Sequence, residues 1–248
     1  MSLHIIGLGP GDPGLITPQA SAALQSATHL LGYGPYLDRA PRRPNQVRHP
    51  SDNREELDRA RHALQLAADG ETVALLSGGD PGVFAMAAAV FEAVDHGPAH
   101  WRALDIQVIP GVSAMLAAAA RLGAPLGHDF CAISLSDNLK PWPIIIQRLT
   151  AAAAAGFVIA LYNPASKARP WQLPAAFEAL RPILPPATPV IFASAVTRPG
   201  ETIVQTTLAA ADPAHATMRT IILIGTAETR TILRPGAAPW LYTPRSIS

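Results

Sequence analysis

A single cysteine, Cys131, in 248 residues excludes an intramolecular disulfide and any all-cysteine metal or iron–sulfur site within one chain. Charge is also scarce. Charged residues make up 15% of the chain and the net charge is +1, so no global field draws it to nucleic acid. Apolar runs stay short. The alanine-rich stretches are cut by Glu92, Arg121 and Gly156, and none approaches the 18 residues that a membrane-spanning helix requires. The opening MSLHIIGLGPGD enters a strand-like run with no basic region and no cleavage site, which predicts no signal peptide. These absences lead us to expect a cytoplasmic protein with neither a membrane nor a nucleic-acid partner.

What is present is a large apolar fraction, 49%, which rules out disorder and can fill a sizeable core. Proline is frequent, 25 residues, and falls mostly between apolar runs, where it punctuates a folded chain. Residues 3–8, 28–31, 72–76 and 106–109 read as strands, and residues 18–25, 53–68 and 83–94 as helices between them. Strands apolar on both faces and separated by helices predict a parallel α/β sheet. Ser51-Asp52-Asn53 reads as the N-cap of the second helix.

Beyond Pro110-Gly111 the pattern changes. Helices at 113–121, 143–154 and 171–180 alternate with strands at 130–135, 157–162, 189–193, 201–205 and 220–224, and the adjacent strands near the end imply a mixed sheet. The expectation is two α/β domains, residues 1–112 and 113–248, the first mainly parallel and the second mixed, with a ligand cleft between them. Cys131 lies inside an apolar run and reads as core.

Two GDPG loops, at residues 11–14 and 79–82, each follow a strand. Gly7-Leu-Gly9-Pro-Gly11 is not the dinucleotide fingerprint, because Asp12 stands where its third glycine belongs and no acidic residue follows at ribose-binding distance. Ser77–Gly82 is not a phosphate-binding P-loop, because the Gly-Lys-Ser/Thr ending is missing and Asp80 would repel a phosphate. Bare backbone here suits a sulfonium-bearing ligand such as S-adenosylmethionine. Asp80 either faces that ligand or caps the helix beginning near Pro81. Pro110-Gly-Val-Ser-Ala114 and Tyr162-Asn-Pro164 end two further strands, and His128-Asp129 and Ser134-Leu-Ser-Asp137 add polar groups nearby.

Four motifs in order carry a resemblance: GLGPGDPGLIT (7–17), SGGDPGVFAMA (77–87), IPGVSAMLAAAARLGAPLGHDF (109–130) and LYNPASKAR (161–169). The chain resembles the S-adenosylmethionine-dependent tetrapyrrole methyltransferases of cobalamin and sirohaem synthesis. Within that class, HDFCAISLSDNLKPW and YNPASKAR are similar to the branch that methylates a precorrin and contracts its ring.

The resemblance implies the tetrapyrrole methylase fold, S-adenosylmethionine as cofactor, a precorrin substrate and a homodimer. It places Pro10, Gly78, Asp80, Val83, Ser113, Ala114, Asn163 and Val196 at the cofactor. Ring contraction needs proton movement, for which Asp12, His128 and Asp137 are the acid–base candidates. A polycarboxylate substrate calls for cations, and Lys140, Lys167, Arg169 and Arg198 are the candidates, with Arg42, Arg43 and Arg48 on a mobile flap. No metal ligand is expected. The chain departs from the class at Phe84-Ala85, where Tyr-Gly is frequent, and at Ala165, where arginine is usual.

Overall fold

A computed structural model describes residues 2–52, 55–166 and 170–246, and the chain divides into two compact units, Met1–Ser113 and Ala114–Ser248. The first unit runs β1 (Ser2–Gly7), α1 (Pro18–Ser26), β2 (His29–Tyr33), α2 (Gly34–Leu37), β3 (Val47–Ser51), α3 (Glu56–Ala68), β4 (Thr72–Ser77), α4 (Met86–His96) and β5 (Asp105–Ile109). Its five strands form one parallel sheet in the order β3-β2-β4-β1-β5. β1 and β4 are central and nearly all buried, which is why they read as unbroken apolar runs.

The two faces of this sheet hold separate cores. On one, Leu3, Ile5, Val73 and Leu75 meet the small residues Ala60, Ala63 and Ala67 of α3 and Ala87 and Val90 of α4. The recurrence of those helical residues at three- and four-residue steps buries one stripe of each helix. On the other face Ile6, Leu8, Leu30 and Leu76 meet Ala20, Ala23 and Leu24 of α1 and Leu37 of α2.

The second unit runs α5 (Ala114–Leu122), β6 (Gly123–Ala124), β7 (Phe130–Ser134), α6 (Trp142–Ala154), β8 (Val158–Tyr162), α7 (Gln172–Leu180), β9 (Pro189–Ser194), β10 (Thr202–Thr207), β11 (Thr220–Ile224), β12 (Arg230–Arg234) and β13 (Ala237–Tyr242). The larger sheet has the order β10-β9-β11-β8-β7; only the β7/β8 pair is parallel. Its core packs Leu149, Leu173, Phe177 and Phe192 around these strands, and Phe177 meets Phe192 edge to face at 6.1 Å. Cys131 packs against this core, and burial raises its thiol pKa. A smaller sheet, β12-β13-β6, completes the unit. Among the described residues no helix is long and apolar enough to cross a membrane.

Several local expectations need correction. β3 was not foreseen, and Arg48 lies in it, not on a mobile flap. Arg48 donates to the carbonyls of Leu37, Ala40 and Pro41 at 2.7–3.0 Å, and Arg43 donates to that of Gln25. Both cations bind local backbone. α3 starts at Glu56, with Glu55 in the cap position, and Ser51 ends β3 with its hydroxyl accepting from Arg59 Nε; Asn53 lies outside the described residues. α4 starts at Met86, because Phe84 takes a left-handed backbone (φ 51°) that breaks the helical path from Pro81. The β12–β13 hairpin was also unforeseen.

At the β3 edge, His29, His49 and His62 form a row with ring centroids 5.3 and 4.8 Å apart, and Glu71 lies 3.3 Å from His29 Nδ1. Burial, then His62 and His29, lowers the His49 pKa. The fold therefore favours neutral His49. That contribution is complete above the ordinary imidazole value of about 6.5 and is lost as pH falls through the folded value. Thermal melts from pH 7.5 to 5.5 should show stability falling, and falling less in H49N. Equal slopes in both proteins would contradict this assignment.

Candidate functional site

β1, β4 and β5 are neighbours in a parallel sheet, so the loops that leave their carboxyl ends must converge. Leu8 N–H donates to the Ser77 carbonyl at 2.9 Å, and Gly9 and Gly79 exchange two backbone hydrogen bonds at 3.1 and 2.9 Å. Gly7, Gly79 and Gly111 come together with backbone against backbone. A β-carbon built on Gly7 would lie 2.6 Å from Gly111 N and 2.8 Å from Gly79 O, and one on Gly111 would strike Gly79 O. These contacts leave no room for a side chain at Gly7 or Gly111, and Gly79 takes a left-handed backbone (φ 69°) that favours glycine.

Asp80 locks the same loops together. One carboxylate oxygen accepts from Gly82 N–H at 2.8 Å and the other from Gly111 N–H at 3.0 Å. It therefore does not cap α4, which starts six residues later, and it binds the loop after β4 to the loop after β5. Gly78 also answers to a contact within the chain. A β-carbon there would meet the Tyr36 ring at 2.8 Å, so the glycine makes room for that ring. Arg39 further fixes the first loop by donating to the Leu8 and Gly9 carbonyls at 2.5 and 3.0 Å. Neither Tyr36 nor Arg39 was singled out from sequence. Arg39 lies just past α2, and nothing in the local string announces its contact.

Pro10 is buried in the first loop and Val83 is half-buried in the second. Ser113 is 3% exposed, and its Oγ is buried without a hydrogen-bond partner. Such a group costs about 1–3 kcal/mol unless a ligand or water satisfies it. Asp12 is exposed and caps a short 3-10 turn by accepting from Gly14 N–H at 2.8 Å.

In the second unit, β7 and β8 run parallel, so the residues beyond them share one end of the sheet. Asn163, left-handed at φ 52°, donates to Ser134 Oγ at 2.9 Å, and Ser134 Oγ also accepts from Ser136 N–H. Asp137 accepts from Gln172 Nε2 at 3.3 Å, with Gln172 itself 3% exposed. His128 is not in this group. It precedes β7, roughly 17 Å of strand away from Asp137, and its Nδ1 takes the N–H of Asp129 at 2.7 Å.

Ala114 opens α5, and Tyr162 Oη accepts from the next N–H, that of Met115, at 3.3 Å. Val196 and Arg198 lie in the turn after β9. Lys140 is half-buried before α6, and burial, then nearby Arg148, lowers its pKa. Lys167 and Arg169 lie outside the described residues. No group of three or more His, Cys, Asp or Glu among the described residues is placed to hold a metal.

Residues 2–212 match a family described as tetrapyrrole (corrin/porphyrin) methylases. A precorrin-3B C(17)-methyltransferase of Sinorhizobium sp is 59% identical over 244 residues, covering 98% of this chain and 96% of that protein. The cobalamin biosynthesis protein CobIJ of Mycobacterium bovis is 48% identical over 92% of this chain, a match that spans only 45% of CobIJ. Among solved structures, that of the methyltransferase CobJ is 50% identical with a TM-score of 0.92, covering 98% of this chain and 99% of its own.

The contact between Gly78 and Tyr36 can be measured directly. G78A should destabilise the protein by about 1–3 kcal/mol through overpacking. Combining it with Y36L should recover part of that loss in a double-mutant cycle followed by chemical denaturation. Additive losses would show that the two residues do not meet.

Proposed function

The chain belongs to the tetrapyrrole (corrin/porphyrin) methylases, whose members are S-adenosylmethionine-dependent methyltransferases. From that premise we propose that it methylates precorrin-3B at C17 with contraction of the macrocycle to precorrin-4, a step of cobalamin biosynthesis, as a cytoplasmic homodimer. The observation that carries this reading is the locked floor of Gly7, Gly79 and Gly111, bare backbone with no lysine and no vacant acid, which suits a sulfonium ligand better than a phosphate.

The buried, unpartnered Ser113 Oγ at the edge of that floor fits a polar group of S-adenosylmethionine. When bound, S-adenosylmethionine supplies an electrophilic methyl group on a positively charged sulfur. Such a displacement needs alignment and exclusion of water more than it needs a covalent nucleophile. The loop backbone around Pro10, Gly78 and Val83 would provide that alignment in the first unit. In the second unit we assign cofactor contacts to Ala114, Asn163 and Val196. Asp80 acts through the loops, since its carboxylate is already bound to two backbone amides.

For proton movement during contraction we assign Asp137, which Gln172 orients. Asp12 is engaged in capping a turn of the first unit, and His128 stands at the far end of β7 from Asp137. Lys140 and Arg198 are assigned to the substrate carboxylates, together with Lys167 and Arg169 from the sequence. Burial and nearby Arg148 disfavour the charged form of Lys140, and a substrate carboxylate beside it would offset both.

Incubation with precorrin-3B and S-adenosylmethionine should give a ring-contracted product carrying one added methyl, located at C17 by NMR and mass spectrometry. Methylation at C11 or C20 would overturn the assignment of position, and failure to bind S-adenosylhomocysteine in calorimetry would overturn the reading as an active enzyme. K140A should raise the KM for precorrin-3B about tenfold, the cost of one lost charge-assisted contact, and leave the KM for S-adenosylmethionine unchanged. A changed cofactor KM with an unchanged substrate KM would remove Lys140 from the substrate side.

A further inference from the structure

Residues 195–200, between β9 and β10, form a turn held in a costly shape. Ala195 (φ 48°) and Thr197 (φ 63°) both take the left-handed backbone, which side chains with a β-carbon rarely adopt and β-branched ones least of all. Such a shape persists only where surrounding contacts over-determine it. Backbone bonds supply part of the support: Ala195 N–H to Arg219 O at 2.9 Å, Arg198 N–H to Ala195 O at 2.9 Å and Glu201 N–H to Arg198 O at 3.0 Å.

The side chain of Glu201 adds to this support. Its Oε2 accepts from Thr197 N–H at 2.5 Å, and the carboxylate takes both Arg121 Nε and Nη2, at 2.9 and 3.4 Å. Burial acts to raise the Glu201 pKa, but the Thr197 bond and Arg121 outweigh it and leave the carboxyl below its ordinary value. Arg121 sits in the last turn of α5, the helix that Ala114 opens. One carboxylate thus ties α5 to the turn carrying Val196.

We infer that Glu201 is a positioning residue for cofactor binding, fixing the 195–200 turn so that Val196 is presented in a single backbone geometry. The inference rests on the proposed function, and the test separates the two. Wild-type protein, E201A, E201Q and R121M are titrated with S-adenosylhomocysteine by calorimetry, assayed for KM and kcat with S-adenosylmethionine, and melted.

Binding of S-adenosylhomocysteine by the wild type is the precondition, and its absence defeats the functional reading itself. Given binding, E201A should raise both the Kd and the cofactor KM about tenfold while kcat stays within about twofold. E201Q should restore most of the affinity, because its amide oxygen still accepts from Thr197 N–H. A lowered melting temperature in E201A with unchanged Kd and KM would make Glu201 a structural staple only and overturn the inference. Should E201A not fold, R121M decides the matter: a weakened Kd supports positioning, and an unchanged one contradicts it.

Discussion

Everything in the first unit is arranged around one steric constraint, the meeting of Gly7, Gly79 and Gly111 at backbone contact. The strand ends can converge this closely only where Gly7 and Gly111 carry no β-carbon, and Gly79 turns between them in left-handed backbone. The parallel order of β1, β4 and β5 brings them there, and the apolar cores on both faces of the sheet keep them there. Asp80 then converts proximity into rigidity by binding amides from two of the three loops. A ligand resting on such a surface meets backbone that has already lost its freedom, so little ordering cost remains to be met on binding.

The second unit reaches a comparable result by other means. Its strand ends carry non-glycine residues in left-handed geometry, at Asn163 after β8 and at Ala195 and Thr197 after β9. Side-chain hydrogen bonds hold these shapes, Ser134 for Asn163 and Glu201 for the later turn. Strain of this kind concentrates at ligand-binding loops, where a fixed backbone is worth its cost. Both units therefore fix loops at the ends of strands, by glycine contact together with the Asp80 clamp in the first and by side-chain clamps in the second.

Much of this was legible in the sequence. The buried strands β1, β4 and β11 read as apolar runs, and the helix stripes follow from their spacing, so the parallel and mixed sheets were both foreseen. The errors have physical causes. β3 is a half-exposed edge strand containing Pro50, which reads as a loop by composition, and the exposed β12–β13 hairpin carries no buried alternation to reveal it. The SGGDPG stretch marked the turn that leaves β4, but the contacts that fix its residues were not local. Gly78 yields to a ring from α2, and Asp80 reaches an amide beyond β5. Contacts between segments distant in sequence leave no imprint on either string alone.

The central claim is that S-adenosylmethionine rests on the loops joined by the three glycines. Hydrogen–deuterium exchange on the wild-type protein, with and without S-adenosylhomocysteine, tests it most directly. The account predicts added protection in residues 7–17, 77–85 and 109–113 together. Saturated binding with no change in any of these three segments would contradict it.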